Sequence, residues 1–187
     1  MTPSATPASD RQGAVFLDRD NTLNIDHGYT WRVADFAWVP GAPEALALWH
    51  AAGIPCFIVT NQGGIGKGLY NIGQMQDFNA HLCAEAAAAG GHITDIAFCP
   101  HHPDAISEEL RAPSPRRKPA PGMILDLADR WNIDLSASVM IGDRDSDVAA
   151  GRAAGCHGYL FDGSDLALLA RQVITRHFSG RSATADA

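Results

Sequence analysis

The sequence has little of what marks nucleic-acid-binding and membrane proteins. Only two of its 187 residues are lysine, and its net charge is −7. No basic stripe runs along a predicted helix, so nucleic acid is not an expected partner. No apolar run is long enough to cross a membrane, and residues 1–13 lack the apolar segment of a signal peptide. We therefore expect neither nucleic acid nor a membrane as a partner.

Cysteine is also scarce. The four cysteines, at Cys56, Cys83, Cys99 and Cys156, show no close pairing along the chain. Free cysteines in apolar surroundings behave as small hydrophobic residues, and unpaired thiols are typical of a reducing compartment. This pattern predicts a cytoplasmic protein.

The length and composition are those of one globular domain. The chain is 46% hydrophobic, and its length allows a single sizeable core. No internal repeat and no interdomain linker is visible. We predict one domain over residues 1–187, with an ordered core at about residues 13–178 and loosely ordered ends.

Short apolar segments alternate with helical ones along the chain. The predicted strands are 14–17, 55–59, 96–99, 138–141 and 158–161, and the predicted helices are 43–52, 73–89, 122–131, 146–154 and 165–176. Continuous apolar strands that alternate with helices predict an open, doubly wound α/β domain with a parallel sheet. Ligands bind such sheets beyond the carboxyl ends of the strands.

Two acids follow the first predicted strand. Asp18 and Asp20 are two residues apart, so both side chains lie on the same side of the chain. Two neighbouring carboxylates are costly to ionise together unless a cation sits between them. The alternative interpretation is an acidic surface turn.

Three further polar segments lie at strand ends or helix entrances. They are Thr60-Asn61-Gln62-Gly63, Arg116-Arg117-Lys118-Pro119 and the run from Asp143 to Asp147. Each alone has a structural explanation: a turn with a helix cap, a charged loop, or acids favoured at a helix N-terminus. Lys118 also closes a basic cluster with Arg111, Arg116 and Arg117, which indicates either a small anionic ligand or a solvated loop. Together with the first segment, these residues predict phosphoryl transfer.

The chemistry assigns a role to each residue type. Asp18 is the candidate nucleophile, which would form an aspartyl-phosphate. Asp20 would protonate the leaving alkoxide and then accept a proton from the attacking water. Thr60 would bind phosphoryl oxygens, and Lys118 would place a positive charge where negative charge develops.

A magnesium ion is the expected cofactor, because a dianionic phosphate monoester repels a carboxylate nucleophile. Asp18 and Asp143 offer the hard oxygen ligands that Mg²⁺ prefers, with Asp20 as a further predicted ligand. Asp147, one helical turn beyond Asp143, is predicted to orient ligands or waters without binding the ion directly.

These four segments resemble the motifs of the haloacid dehalogenase superfamily of phosphatases. The resemblance covers roughly residues 15–161 and implies a Rossmann-like fold; the short spacers in this chain leave no room for a cap domain. Within the superfamily, the chain resembles most the heptose-1,7-bisphosphate phosphatases, with the histidinol phosphatases next. The supporting segments are Asp26-His27-Gly28-Tyr29, Thr60-Asn61-Gln62, Cys99-Pro100-His101-His102-Pro103 and the stretch from Arg117 to Met123.

This resemblance implies a substrate and the residues that contact it. A Mg²⁺-dependent enzyme would remove the 7-phosphate of a heptose 1,7-bisphosphate, a step toward nucleotide-activated heptose for a bacterial surface glycan. The implied substrate-binding residues are Asp26, His27, Gly28, Tyr29, Asn61, Gln62, Gly63, Arg117 and Arg144. Asp26 and Gly28 could instead only build a turn. The competing hypotheses are another small-metabolite phosphatase, such as a histidinol phosphatase, and a catalytically silent binding module. An uncapped site favours a monomer.

Some positions depart from the family pattern. Many relatives bind zinc near the motif lysine through a Cys-x-His pair and a Cys-x-Cys pair. Cys99 and His101 match the first pair, but Ser114 and Arg116 stand at the second, so we predict no zinc. Asn21 replaces a usual glycine, and we expect it to keep the left-handed turn. Loops must close the site, and Trp31 and Trp38 either stiffen them or belong to the core.

Overall fold

The computed structural model describes residues 11–179, so the predicted loose ends of the chain fall largely outside the described residues. The strands are β1 Val15–Leu17, β2 Cys56–Asn61, β3 Asp95–Cys99, β4 Val139–Gly142 and β5 His157–Leu160. The helices are α1 Ala42–Ala51, α2 Gly63–Gly66, α3 Ile72–Ala88, α4 Glu108–Arg111, α5 Gly122–Arg130, α6 Asp145–Ala154 and α7 Leu166–Val173. Short 3-10 turns lie at Val33–Asp35 and Leu135–Ala137, and a π turn at Ile174–Phe178 follows α7.

The five strands form one parallel sheet in the order β3-β2-β1-β4-β5. β1 is central, with Phe16 opposite Phe57 of β2 and Met140 of β4. The order reverses direction at β1, which is the topological switch point where such sheets bind ligands. This arrangement confirms the predicted open, doubly wound fold.

Helices cover both faces of the sheet, and the side chains alternate between the two faces. Val15 and Leu17 belong to the core beneath α1, α3 and α7. Phe16 belongs to the core beneath α5 and α6, where it stacks on Phe57 with ring centroids 5.3 Å apart. The period of two expected for a strand therefore places apolar side chains in both cores.

Local signals set the helix ends. α3 begins with a capping box in which the Asn71 side chain accepts from the Gln74 N–H and the Gln74 side chain accepts from the Asn71 N–H. α6 ends at Gly155, whose φ of 97° is left-handed. The sequence prediction missed α2 and α4, because each has only four residues and α2 contains three glycines.

The connections explain why the site is open. Between β1 and α1 the only regular element is the turn Val33–Asp35, and between β3 and α5 it is the single turn α4. The described part of the chain therefore has no cap domain, as predicted. None of the helices between residues 11 and 179 combines the length and apolarity needed to cross a lipid bilayer.

Candidate active site

A cavity of about 290 Å³ lies at the carboxyl ends of β1, β2 and β4. The predicted residues that line it are Asp18, Asp20, Asp26, Gly28, Tyr29, Asn61, Gly63, Arg117, Lys118, Arg144 and Asp147. Four predicted site residues, His27, Thr60, Gln62 and Asp143, do not line it. The parallel strands thus bring four segments, far apart in the chain, to one edge of the sheet.

Lys118 lies between two carboxylates at the base of the cavity. Its Nζ donates to Asp18 Oδ1 at 2.6 Å and to the Val59 carbonyl at 2.7 Å, and it lies 2.7 Å from Asp147 Oδ1. Burial opposes the charge on Lys118, but the carboxylates of Asp18 and Asp147 raise its pKa above the ordinary value. Lys118 therefore stays an ammonium ion in contact with the candidate nucleophile.

Asp147 makes two contacts that the sequence interpretation did not include. One oxygen pairs with Lys118, and Oδ2 accepts from the Arg144 N–H at 3.0 Å. The Asp147 side chain packs closely against Gly142, the last residue of β4. A Cβ added at Gly142 would lie 2.3 Å from Asp147 Oδ2. Asp147 thus holds Lys118 in place.

Three carboxylates form the only group of three or more potential metal ligands found between residues 11 and 179. One oxygen each from Asp18, Asp143 and Asp147 lies within 4.8 Å of the other two. Burial, followed by the charges of Asp18 and Asp147, raises the pKa of Asp143 to about 6. Asp143 Oδ1 is buried and has no hydrogen-bond partner among the described residues. A buried, unpartnered carboxylate oxygen beside two more acids fits a divalent cation.

Asp20 is not part of this group, and its role as a metal ligand stays a prediction. Its Oδ1 accepts from Arg19 Nη2 at 2.8 Å and Nε at 3.0 Å, and from Asn24 at 3.3 Å. Its Oδ2 accepts from Gln62 Nε2 at 3.0 Å. Burial raises the pKa of Asp20 against the opposing effect of the Arg19 guanidinium. This environment suits a carboxyl group that gives up and recovers a proton.

Arg19 supports this arrangement from the core and was not singled out from the sequence. It is fully buried, donates to Asn79 Oδ1 at 3.0 Å and to the Thr30 carbonyl at 3.2 Å, and stacks 4.7 Å above the Phe78 ring centroid. A buried arginine is costly unless it is paired. Arg19 is paired with Asp20 and so fixes that carboxylate.

Thr60 and Gln62 are almost fully buried, with 1% of each exposed. Gln62 Nε2 donates to Thr60 Oγ1 at 2.8 Å, and the Tyr70 hydroxyl donates to Gln62 Oε1 at 2.6 Å. The amide of Gln62 is therefore bound to protein groups on both ends. Tyr70 lines the cavity although the sequence analysis did not identify it.

Asn61 and Lys118 hold two loops together. Asn61 Nδ2 donates to the Lys118 carbonyl at 3.0 Å, and the Lys118 N–H donates to Asn61 Oδ1 at the same distance. Arg117, next in the chain, donates to the His101 carbonyl at 2.5 Å and lines the cavity. This pairing places the motif lysine relative to the end of β2.

The segment after β1 forms a turn and also contributes side chains to the cavity. Asn21 keeps the predicted left-handed conformation with φ of 60°, and its side chain accepts from the Asp26 N–H at 3.0 Å. Asp26 in turn accepts from the Thr30 N–H at 2.7 Å while it lines the cavity. The adjacent Tyr29 also has a positive φ, of 62°. Asp26 therefore builds a turn and faces the site.

The basic cluster of the sequence is divided in the structure. Arg116 pairs with Asp126, and Arg111 donates to the carbonyls of Ala105 and Ile106 at 3.1 Å. Only Arg117 and Lys118 line the cavity. The cluster is therefore not one anion site.

The loop through which many relatives bind zinc keeps two of the four family ligands in this chain. Cys99 is fully buried at the end of β3, and His101 Nδ1 lies 3.0 Å from the Ala112 carbonyl. The absence of zinc stays a prediction.

Sequence reasoning missed two more residues that line the cavity, His102 and Ser146. The ring of His102 lies against Gly63. A Cβ on Gly63 would lie 2.7 Å from His102 Cδ2, so glycine makes room for the ring.

The two tryptophans between β1 and α1 have different surroundings. Trp31 stacks on Tyr70 with ring centroids 6.1 Å apart, whereas Trp38 packs against the core.

Comparisons with known proteins agree with this geometry. Residues 115–165 match the family model described as HAD-hydrolase-like. D-glycero-beta-D-manno-heptose-1,7-bisphosphate 7-phosphatase of Rhodopseudomonas palustris is 38% identical over 169 residues, which are 90% of this chain and 94% of the relative. A HAD-like phosphatase structure from Mesorhizobium loti has a TM-score of 0.82 at 29% identity, and the match covers 97% of this chain and 94% of that one.

A second solved structure is D,D-heptose 1,7-bisphosphate phosphatase from B. bronchiseptica, complexed with magnesium and phosphate. Its TM-score is 0.77 at 28% identity, and the match covers 88% of this chain and 99% of that one. The four motifs, the sheet topology and these similarities agree. The chain therefore belongs to the haloacid dehalogenase superfamily, within the family of heptose-1,7-bisphosphate phosphatases, and is a phosphoric monoester hydrolase.

Proposed function

We propose that this protein removes the 7-phosphate of D-glycero-beta-D-manno-heptose 1,7-bisphosphate through an aspartyl-phosphate on Asp18. The observation that carries the proposal is the contact between Lys118 and Asp18 at the base of an open, polar cavity. The substrate assignment is supported by the relative that is 38% identical over 90% of this chain.

In the first step, an Asp18 oxygen forms a bond to phosphorus while the bond from phosphorus to the sugar oxygen breaks. Asp20 gives its proton to the departing alkoxide. In the second step, Asp20 takes a proton from a water molecule that attacks the phosphorus. The bond from phosphorus to Asp18 then breaks, inorganic phosphate leaves, and both carboxyl groups return to their starting states.

Lys118 and Thr60 support the transferring group. The Lys118 ammonium neutralises charge on Asp18 and so lets a dianionic phosphate approach. Thr60 Oγ1 already accepts a hydrogen bond from Gln62, which leaves its own proton available for a phosphoryl oxygen.

The residues at the cavity fit a magnesium ion. Asp18 and Asp143 would hold it, because Asp143 Oδ1 is buried without a partner in the described part of the chain and lies beside Asp18. When bound, Mg²⁺ would neutralise charge on the phosphate during transfer. Asp147 is already paired with Lys118, so we assign it to holding the lysine.

The sugar would lie toward the mouth of the cavity, where polar side chains from three segments converge. Tyr29 and Asp26 come from the loop after β1, Arg117 precedes α5, and Arg144 precedes α6. A hydroxyl-rich substrate needs several donors and acceptors, and each arginine can bind an anionic group with two N–H donors.

A panel of phosphate esters with Mg²⁺ tests this proposal. We expect heptose 1,7-bisphosphate to be hydrolysed with the highest kcat/KM, and Asp18→Asn to release essentially no phosphate while it remains folded. Much faster cleavage of histidinol phosphate would reject the substrate assignment, and equal rates for wild type and Asp18→Asn would reject the nucleophile.

Stereochemistry tests the covalent step. Two successive in-line displacements retain the configuration at a chiral phosphorus atom, whereas direct attack by water inverts it. We expect retention, and inversion would exclude the aspartyl-phosphate.

A further inference from the structure

The side chain of Gln62 connects two groups of the proposed chemistry. Its Nε2 donates to Asp20 Oδ2 at 3.0 Å and to Thr60 Oγ1 at 2.8 Å. An amide nitrogen has two hydrogens, so these bonds use both of them. Because Gln62 is 1% exposed, water does not compete for the amide. The acid/base carboxyl and the phosphate-binding hydroxyl therefore share one donor.

The Tyr70 hydroxyl decides which end of that amide faces the site. It donates to Gln62 Oε1 at 2.6 Å, and burial raises the pKa of Tyr70, so the hydroxyl keeps its proton. If the amide turned over, its oxygen would face the Asp20 carboxylate, which only accepts hydrogen bonds, and the bond to Asp20 Oδ2 would be lost. The hydrogen bond from Tyr70 stabilises the orientation in which the nitrogen faces Asp20 and Thr60.

The oxygen of Asp20 that Gln62 contacts is the one available for proton transfer. Asp20 Oδ1 accepts three donors, two from Arg19 and one from Asn24. The only hydrogen bond to Oδ2 from the described residues comes from Gln62. A proton on Asp20 is therefore placed best on Oδ2, and Gln62 sets the direction of that oxygen.

Tyr70 itself is held by packing. Its ring stacks with Trp31, with centroids 6.1 Å apart, and is 6% exposed. A Cβ on Gly64 would lie 2.2 Å from the Tyr70 ring and 2.9 Å from that of Tyr29. The hydroxyl therefore has little freedom, which suits a group that orients another.

We propose that Tyr70 and Gln62 are positioning residues for phosphoryl transfer: Tyr70 orients the Gln62 amide, and the amide orients Asp20 Oδ2 and Thr60 Oγ1. The inference deepens the proposed function and rests on it, since the roles of Asp20 and Thr60 belong to that proposal. It also gives Gln62 a role other than the direct substrate contact that the resemblance implied.

The first test compares leaving groups. Tyr70→Phe should lower kcat/KM for the best sugar phosphate substrate by about tenfold, the factor that corresponds to one lost hydrogen bond. For p-nitrophenyl phosphate the loss should be only about twofold, because nitrophenolate leaves without a proton from Asp20. An equal loss on both substrates would overturn the link to Asp20.

The second test is a double-mutant cycle with Gln62→Met, which keeps an unbranched side chain but removes both polar atoms. If Tyr70 acts through Gln62, Tyr70→Phe should change kcat/KM by less than about twofold in the Gln62→Met background. Tyr70 also lines the cavity, so a direct contact with the sugar is the competing explanation. Additive losses would support that explanation and overturn the proposal.

Tyr159→Phe is the matched control. The hydroxyl of Tyr159, on β5, lies 2.6 Å from Nε2 of His177 in the π turn, and neither residue lines the active-site cavity. This variant loses a hydroxyl contact of the same length, and its kinetics should equal those of wild type. Thermal unfolding of every variant checks folding.

Asp20→Asn separates the two proposals. We expect it to lose far more activity on the sugar phosphate than on p-nitrophenyl phosphate. If Asp20→Asn shows this larger loss on the sugar phosphate and Tyr70→Phe does not, the positioning role is wrong while the acid role stands. If Asp20→Asn affects both substrates equally, the acid role fails and the positioning role fails with it.

Discussion

Replacing Lys118 by methionine should affect both catalysis and folding. Methionine keeps an unbranched side chain but removes the ammonium group that contacts Asp18 Oδ1 at 2.6 Å and Asp147 Oδ1 at 2.7 Å. Asp18, Asp143 and Asp147, which have carboxylate oxygens within 4.8 Å of one another, would then lack the neutralising charge of the ammonium group. The Lys118 side chain is only 3% exposed, so water cannot replace it.

The size of each effect follows from the burial of the pair. Loss of one electrostatic contact to the transition state costs about 3–4 kcal/mol, so kcat should fall by about 10²- to 10³-fold. Breaking a buried ion pair by removing one partner costs about 3–5 kcal/mol of unfolding free energy. For a chain of this length, a loss of about 1 kcal/mol of unfolding free energy lowers Tm by about 2–4 °C, so Tm should fall by roughly 6–20 °C.

Two measurements check this prediction. Phosphate release with Mg²⁺ gives kcat and KM, and thermal unfolding in EDTA and in Mg²⁺ gives Tm. We expect Mg²⁺ to raise Tm more in the variant than in wild type, because the ion would be the remaining cation among the carboxylates. Lys67→Met, which removes the other lysine and its contact with Asp104 at 3.5 Å, is the control and should change Tm little.

Either of two results would contradict the role of Lys118. A variant that unfolds in EDTA at the temperature of wild type would show that Lys118 does not offset the repulsion between the acids. A change confined to KM would show that Lys118 helps only substrate binding and adds nothing in the transition state.

Three further predictions concern the metal, the fit around Tyr70 and the core. EDTA should abolish turnover and added Mg²⁺ should restore it; activity unchanged by chelation would remove Mg²⁺ from the mechanism. Gly64→Ala should lower Tm and kcat, because its Cβ would lie 2.2 Å from the Tyr70 ring and overpacking costs about 1–3 kcal/mol; wild-type kinetics would show that the ring moves freely. Phe16→Ala should lower the unfolding free energy measured with denaturant by about 3–5 kcal/mol, because Phe16 is fully buried on β1, between β2 and β4. A loss of less than about 1 kcal/mol would contradict the packing described.

Local patterns in the sequence were sufficient for much of the fold. The strand at Val15–Leu17 and the helix at Gly122–Arg130 lie within one or two residues of their predicted bounds, because apolar periodicity and end signals act over a few neighbouring residues. The parallel sheet, and the meeting of Asp18 with Lys118 at its edge, follow from the same alternation of strands and helices.

Contacts between distant side chains could not be predicted in this way. The sequence indicated neither the burial of Arg19 nor the hydrogen bond from Tyr70 to Gln62. It also grouped Arg116 with Lys118, whereas Arg116 pairs with Asp126 on α5. Each of these depends on which side chains the fold brings within hydrogen-bond distance.

The amino-acid sequence by itself determined the order of strands and helices and the four motif segments, because those depend on short-range preferences and on residue type. Only the tertiary structure decided which oxygen of Asp20 stays available, that Asp147 holds Lys118, and that Tyr70 orients Gln62. Such roles arise from distances and burial, and these exist only once the chain has folded and excluded water from the site.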